Sequence, residues 1–126
     1  MVGIVIVSHS KKLAEGVVEL ARLISGECPM VAAGGLEDGG FGTSYERIEA
    51  AINSVYSDDG VVVIMDMGSS CMTTEMVIEN MEGKKVEMID CPMVEGAAAA
   101  AAESESGSSL EEVKQAAIDA AGESKF

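Results

Sequence analysis

The sequence predicts an α/β fold: a doubly wound, mainly parallel sheet of about four strands with helices on both faces. Three observations carry that expectation. Four short runs rich in β-branched and other apolar residues alternate with longer stretches of helical period. Two of the runs, Val2 to Val7 and Val61 to Met65, are apolar at nearly every position, as central strands covered on both sides must be. A helical stretch separates each run from the next, which is the connection a parallel pair of strands requires.

Val2 to Val7 opens the chain as the first strand. Leu13, Val17, Leu20 and Ile24 then recur at spacings of four, three and four, which places them on one face of a helix with Ser10 as its N-cap. Pro29 to Ala33 is a second, weaker strand that runs into a glycine-rich loop: Gly34, Gly35, Gly39, Gly40 and Gly42. Thr43-Ser44-Tyr45-Glu46 reads as a capping box, with Thr43 accepting from the Glu46 amide, and Tyr45, Ile48, Ile52 and Val55 continue it as a second helix. Val61 to Met65 is the third strand. The turn Asp66-Met67-Gly68-Ser69-Ser70 leads into a third helix, whose Met72, Met76 and Met81 read as core filler. Lys85 to Asp90 alternates more openly, as a strand nearer an edge does. After Pro92, Ala97 to Ala102 is a strong helix former, and Ser104 to Ser109 interrupts it. Leu110 to Ala121 closes as a last helix, with Ser109 and Glu112 as a capping box.

The 126 residues have the length of one domain, 1–126, and a hydrophobic content of 48% is enough to fill its core. Eight Lys and Arg against 22 Asp and Glu give a formal charge of −14. That excess repels phosphate backbones and anionic lipid, so neither nucleic acid nor an anionic membrane is an expected partner. Aromatics make up 3% with no Trp, which leaves no platform for stacking bases. No apolar run approaches the ~20 residues a membrane helix needs, and Met1 to Val7 has no basic leader, so it reads as a strand and not a signal peptide. Three cysteines far apart, Cys28, Cys71 and Cys91, form neither a disulfide framework nor a CxxC metal pattern. The cytoplasm is the expected compartment, and no metal is expected.

In an open α/β sheet, reacting groups gather at the carboxyl ends of the strands, where strand order reverses. The residues standing there are Ser8-His9-Ser10 after the first run and Gly34 and Gly35 after the second. Asp66, Gly68, Ser69 and Ser70 follow the third, and Cys91, Pro92, Glu95 and Gly96 the fourth. If the first and third runs are central neighbours, His9 and Asp66 meet across the crevice. His9 is the only histidine. Free imidazole titrates near ~6.5, in range for nucleophilic or general-base work at neutral pH. A carboxylate on one ring nitrogen would fix the tautomer and leave the other nitrogen free to attack. The helices starting at Ser10 and near Ser70 both aim free amides at the crevice, which favours an anion, phosphate above all. These parts describe a place where a phosphoryl group could be carried on His9.

Position alone leaves other readings open. His9 also suits a polar loop residue, Asp66 a turn residue, and Ser69 and Ser70 helix caps. Cys71, in a first helical turn, has no second histidine to activate it and reads as packing. The Gly34–Gly42 loop lacks a following Gly-Lys-Ser/Thr and is not a Walker A sequence; it either turns the chain or positions a ligand. A phosphohistidine would add negative charge to an already acidic chain. Lys11, Lys12 and the two helix N-termini are the available compensation.

A set of motifs resembles a known family. It comprises Ile-Val-Ser-His-Ser at 6–10 with Leu13-Ala14-Glu15-Gly16-Val17, Ala-Ala-Gly at 32–34, Gly42-Thr43, Met65-Asp66-Met67-Gly68-Ser69, and Pro-Met-Val-Glu-Gly at 92–96. In this order, and over nearly the whole chain, they resemble the phosphotransfer subunits of phosphoenolpyruvate-dependent dihydroxyacetone kinases (the DhaM family). The amino-terminal domain of that family is similar to the mannose-type enzyme IIA of the sugar phosphotransferase system. The resemblance implies a histidine that takes a phosphoryl group from the phosphocarrier HPr and passes it to ADP held in a partner kinase subunit. It implies that His9 is the phosphohistidine and Asp66 its carboxylate partner. Thr43, Gly68 and Ser69 would be supporting anion contacts, alongside Ser10 and Ser70 at the helix starts. No cofactor would be bound directly, and a homodimer is implied. Some members append HPr-like and enzyme-I-like domains; this length has no room for them, so separate donors are expected. The Gly39-Gly40-Phe41 loop and the serine-rich stretch at 104–109 depart from the pattern. A IIA component of mannose-family sugar transport and a non-catalytic regulator of the same fold are the nearest alternatives. A receiver module phosphorylated on Asp66 would call for an acidic cluster where this chain has Ser-His-Ser. A phosphohistidine hydrolase or mutase would call for a second histidine or an arginine clamp.

Overall fold

A computed structural model describes Met1–Phe126. Its strands are β1 (Gly3–Ser8), β2 (Met30–Gly34), β3 (Val61–Met65) and β4 (Val86–Ile89). They form one all-parallel sheet in the order β2-β1-β3-β4. The helices are α1 (Lys11–Arg22), α2 (Tyr45–Val55), α3 (Ser69–Glu79), α4 (Met93–Glu105) and α5 (Leu110–Asp119), with a 3-10 turn at Ala120–Gly122. The chain winds outward from β1 to β2, then returns to place β3 on the other side of β1. Strand order therefore reverses between β1 and β3, and the crevice between their carboxyl ends is where the fold collects its reactive groups.

The two apolar faces of the central strands divide between two cores, because successive strand residues point to opposite sides. Ile4, Ile6, Val62 and Ile64 pack with Ala14, Val17, Ala97, Ala100, Ala101, Val113 and Ala117 of α1, α4 and α5. Val5, Val7, Val61 and Val63 pack with Ile48 and Ile52 of α2, Val77 of α3, and Met81. β1 and β3 are the central pair, and both are buried almost throughout. β4 lies at one edge, as its more open pattern suggests.

Four expectations need correction. In α1 the buried residues are Ala14, Val17 and Ala21, while Leu13 and Leu20 are nearly half exposed and Ile24 lies beyond the helix end. At its start the helix lies close against the end of β2: a Cβ on Gly34 would meet Ser10, Lys11 and the Ala14 methyl, which leaves room for nothing larger than alanine at 14. The second helix is capped by Ser44, whose hydroxyl accepts from the Arg47 amide at 3.2 Å, and not by Thr43. Met72 and Met76 are 69% and 55% exposed and fill no core; Ser70, Thr74 and Val77 form the buried side of α3. Finally, α4 starts at Met93 and runs through Ser104, which is buried and donates to the Val2 carbonyl, so the serine-rich break begins only at Ser106.

Gly34 shows how tightly α1 is set. A Cβ there would lie 2.6 Å from the Ser10 carbonyl oxygen and 2.7 Å from Lys11 Cα, both backbone atoms that cannot swing aside. Gly34→Ala is expected to cost about 1–3 kcal/mol through this collision. Gly16→Ala, in the same helix with nothing within 4 Å, should be neutral or stabilising by up to about 1 kcal/mol. Urea midpoints of the two variants check this, and equal destabilisation would contradict the packing argument.

Candidate functional site

β1 ends at Ser8 and β3 at Met65, and the residues that follow are His9 and Asp66. Val7 pairs with Met65 across the ladder, and the Asp66 amide donates to the Val7 carbonyl at 3.1 Å. This register places the two side chains opposite each other. His9 Nδ1 lies 3.1 Å from Asp66 Oδ1 and 3.2 Å from Oδ2. The His9 side chain is 33% exposed and that of Asp66 14%.

The carboxylate is surrounded by donors. Oδ2 accepts from the Ser8 hydroxyl and from the His9 amide, both at 2.9 Å. Oδ1 accepts from the Met67 amide at 2.7 Å. Burial pushes the Asp66 carboxyl up, but the Ser70 hydroxyl, the His9 and Met67 amides and the His9 ring outweigh it. Together they hold it well below the usual carboxylate range. An ionised Asp66 can only accept, so in the neutral ring Nδ1 carries the proton and Nε2 keeps a lone pair.

Nε2 faces a short hydroxyl chain. Ser69 Oγ stands 2.7 Å from Nε2, and Thr43 Oγ1 stands 2.9 Å from Ser69 Oγ. With the lone pair on Nε2, Ser69 donates to the ring and Thr43 donates to Ser69. Ser70 Oγ is 3.2 Å from Nδ1. The structure thus brings Thr43, Ser69 and Ser70 to the histidine. None of them caps its helix. The N-cap of α3 is Gly68, at φ 57° and without a side-chain cap bond, a backbone state open to glycine. That turn lets both serine hydroxyls reach the ring. Ser10 is different: its hydroxyl is committed to capping α1, accepting from Leu13 N at 3.2 Å.

Ser8 is the member that sequence reasoning left without a role. The available signal was a hydroxyl ending an otherwise apolar strand, because a buried hydroxyl must find a partner. Lys11 and Lys12 are exposed and form no ion pair. They line a cavity with Ser10, Gly39 and Phe41 beside the crevice. The cysteines are free; burial pushes the Cys28 thiol up, and burial with the neighbouring Asp90 charge pushes Cys91 up to about 11. No group of three or more His, Cys, Asp or Glu side chains is placed to hold a metal ion. No helix is long and apolar enough to cross a membrane.

A family model described as a PTS system fructose IIA component, EIIA-man, matches residues 3–114. The phosphotransferase subunit DhaM of the PTS-dependent dihydroxyacetone kinase of Lactococcus lactis is 38% identical over 113 residues, covering 90% of each chain. The phosphoryl donor subunit DhaM of the PEP-dependent dihydroxyacetone kinase of Escherichia coli is 41% identical over 120 residues, covering 90% of this chain. This chain spans only 25% of the length of that relative. Among solved structures, the crystal structure of a protein of unknown function is similar at a TM-score of 0.86 and 27% identity, covering 100% of this chain and 99% of the other.

The Asp66 environment makes a stability prediction with a defined sign. A carboxylate whose folded pKa is depressed stabilises the fold fully above its unfolded pKa, near 4. It loses that contribution as pH falls from there toward the lower folded value. Asp66→Asn places an amide against the Ser8 and His9 donors and should cost about 1–3 kcal/mol at pH 7 while remaining folded. Urea denaturation of both proteins between pH 7 and pH 2.5 should show the difference shrinking below about pH 4. Parallel profiles would contradict the assignment.

Proposed function

The chain belongs to the EIIA-man family of phosphotransferase-system IIA components, and on that premise we propose that it is a phosphoryl carrier loaded on His9 Nε2. The observation that carries this reading is the His9–Asp66 pair, in which Nδ1 is tied to a carboxylate while Nε2 keeps its lone pair on a partly exposed ring.

In the loading step the Nε2 lone pair attacks the phosphorus of the incoming donor. The N–P bond forms as the bond from phosphorus to the donor breaks, and its electron pair leaves with the donor. Nδ1 keeps its proton throughout, so the phosphorylated ring is a cation and the Asp66 charge balances it. Ser69 and Thr43, on turning from Nε2, can donate to the phosphoryl oxygens, backed by the first amides of α1 and α3. The reverse attack, by an acceptor oxygen, restores the lone pair and releases the group.

The relatives named above belong to dihydroxyacetone kinases dependent on PEP or the PTS. The donor in this reading is therefore HPr, and the acceptor is ADP held in the kinase's nucleotide-binding subunit. The chain itself binds no cofactor and acts in the cytoplasm as a homodimer. Exposed Phe41 and Met67, in the loops after β2 and β3, and Met72, in the first turn of α3, support a protein partner over a small free substrate. The family model's sugar-component description favours a second reading, with a sugar permease as acceptor.

Incubation with phosphoenolpyruvate, enzyme I and HPr should add one phosphoryl group per chain, lost in acid and retained in base. His9→Ala should take up none, and His9→Gln should fold normally. Adding the two kinase subunits with dihydroxyacetone should drain the label, while permease membranes with sugar should not. Label persisting in His9→Ala would overturn the assignment of the histidine.

A further inference from the structure

We propose that Ser8 is a positioning residue for His9: through Asp66 it determines which ring nitrogen is left free to react. The role rests on the phosphoryl-carrier reading, but its structural content can be tested without any transfer. Ser8 is the last residue of β1 and 1% exposed. Its hydroxyl has one proton to give. The Ser10 amide points a hydrogen at Ser8 Oγ at 3.0 Å and so uses an oxygen lone pair. The Ser8 proton is then free for Asp66 Oδ2, 2.9 Å away, which can only accept. The direction of this bond is fixed by its surroundings, unlike that of a surface serine.

This bond is one arm of a clamp. Ser8 and the His9 amide hold Oδ2, the Met67 amide holds Oδ1, and the Ser70 hydroxyl is a further donor to the carboxylate. The carboxylate plane cannot turn, and both oxygens face Nδ1. Without the Ser8 donor, Oδ2 keeps only the His9 amide, and the carboxylate, still held by the Met67 amide and the Ser70 hydroxyl, is oriented less tightly toward Nδ1. The proton on Nδ1 then loses its symmetric acceptor. The alternative ring tautomer becomes populated, with the proton on Nε2 and the lone pair turned inward. That tautomer cannot attack a donor.

Thr and Val have nearly the same shape and differ by the hydroxyl, so they separate this role from packing. His9 is the only histidine, and the ring nitrogens seen by ¹⁵N NMR of the full chain therefore belong to one residue. Wild type and Ser8→Thr should show protonated Nδ1 and bare Nε2 in the neutral ring. Ser8→Val should show mixed tautomers, with an initial phosphorylation rate lower by about tenfold, by analogy with losing an outer-shell partner that orients a metal-ligating histidine. Ser8→Thr should stay near the wild-type rate. Should Ser8→Val fail to fold, Ser8→Ala gives the same contrast. A folded Ser8→Val or Ser8→Ala with the wild-type tautomer and rate would overturn the proposal, as would equal losses in Ser8→Thr and Ser8→Val. A wild-type chain that takes no phosphoryl group while the tautomers shift as described would sink the carrier reading and leave the positioning role standing.

Discussion

The carboxylate of Asp66 is the fixed point around which the site is organised. It is mostly buried, which alone would favour its neutral form, yet it remains charged because hydroxyl and amide donors converge on it. Hydrogen bonds to a charged group each contribute about 1.5–3 kcal/mol, enough for a few of them to outweigh partial burial. A charged Asp66 dictates the rest. In the neutral ring it places the proton of His9 on Nδ1 and leaves the lone pair on Nε2, and in the proposed transfer it is the counter-charge for a phosphorylated, cationic ring. In a chain carrying −14, this negative charge stays tolerable because hydroxyl, amide and ring N–H dipoles converge on it.

The fold supplies the convergence. The switch in strand order brings β1 and β3 side by side, and their register sets the residue after each strand opposite the other. The donors come from the end of β1, the start of the β3–α3 turn and the first turn of α3, so no single element builds the site. Gly68 matters because its positive φ starts α3 without a side-chain cap and leaves Ser69 and Ser70 for the ring. Gly34 matters for a different reason: its missing Cβ lets the start of α1 press against β2, which fixes the Ser8-His9-Ser10 corner.

Much of this was legible in the sequence. The two doubly apolar runs gave away the central strands, and the single histidine after one of them and an aspartate after the other are the two side chains the structure brings together. Three features were hidden because they depend on which of several equivalent groups tertiary contacts select. Thr43 and Ser44 are both chemically able to cap α2, and the choice of Ser44 is visible only once Thr43 is seen to meet Ser69. The α1 periodicity correctly marked a helix, but the spacing also fits a half-exposed stripe, and the buried side is Ala14, Val17 and Ala21, with Ala14 set against Gly34 of β2. The methionines of α3 share helical spacing with core residues, and only the packing of Thr74 and Val77 shows that they face outward. Ser8 stands out in the sequence as a hydroxyl ending an apolar strand, but its partner, Asp66, is identified only by the β1–β3 register.

The most direct test of the account is the site of attachment in the phosphorylated chain, read by ³¹P–¹⁵N correlation on protein loaded from phosphoenolpyruvate. Phosphorus coupled to Nε2 of His9, with Nδ1 still protonated, is the result the geometry requires. Phosphorus on Nδ1, or an acyl phosphate on Asp66, would contradict it.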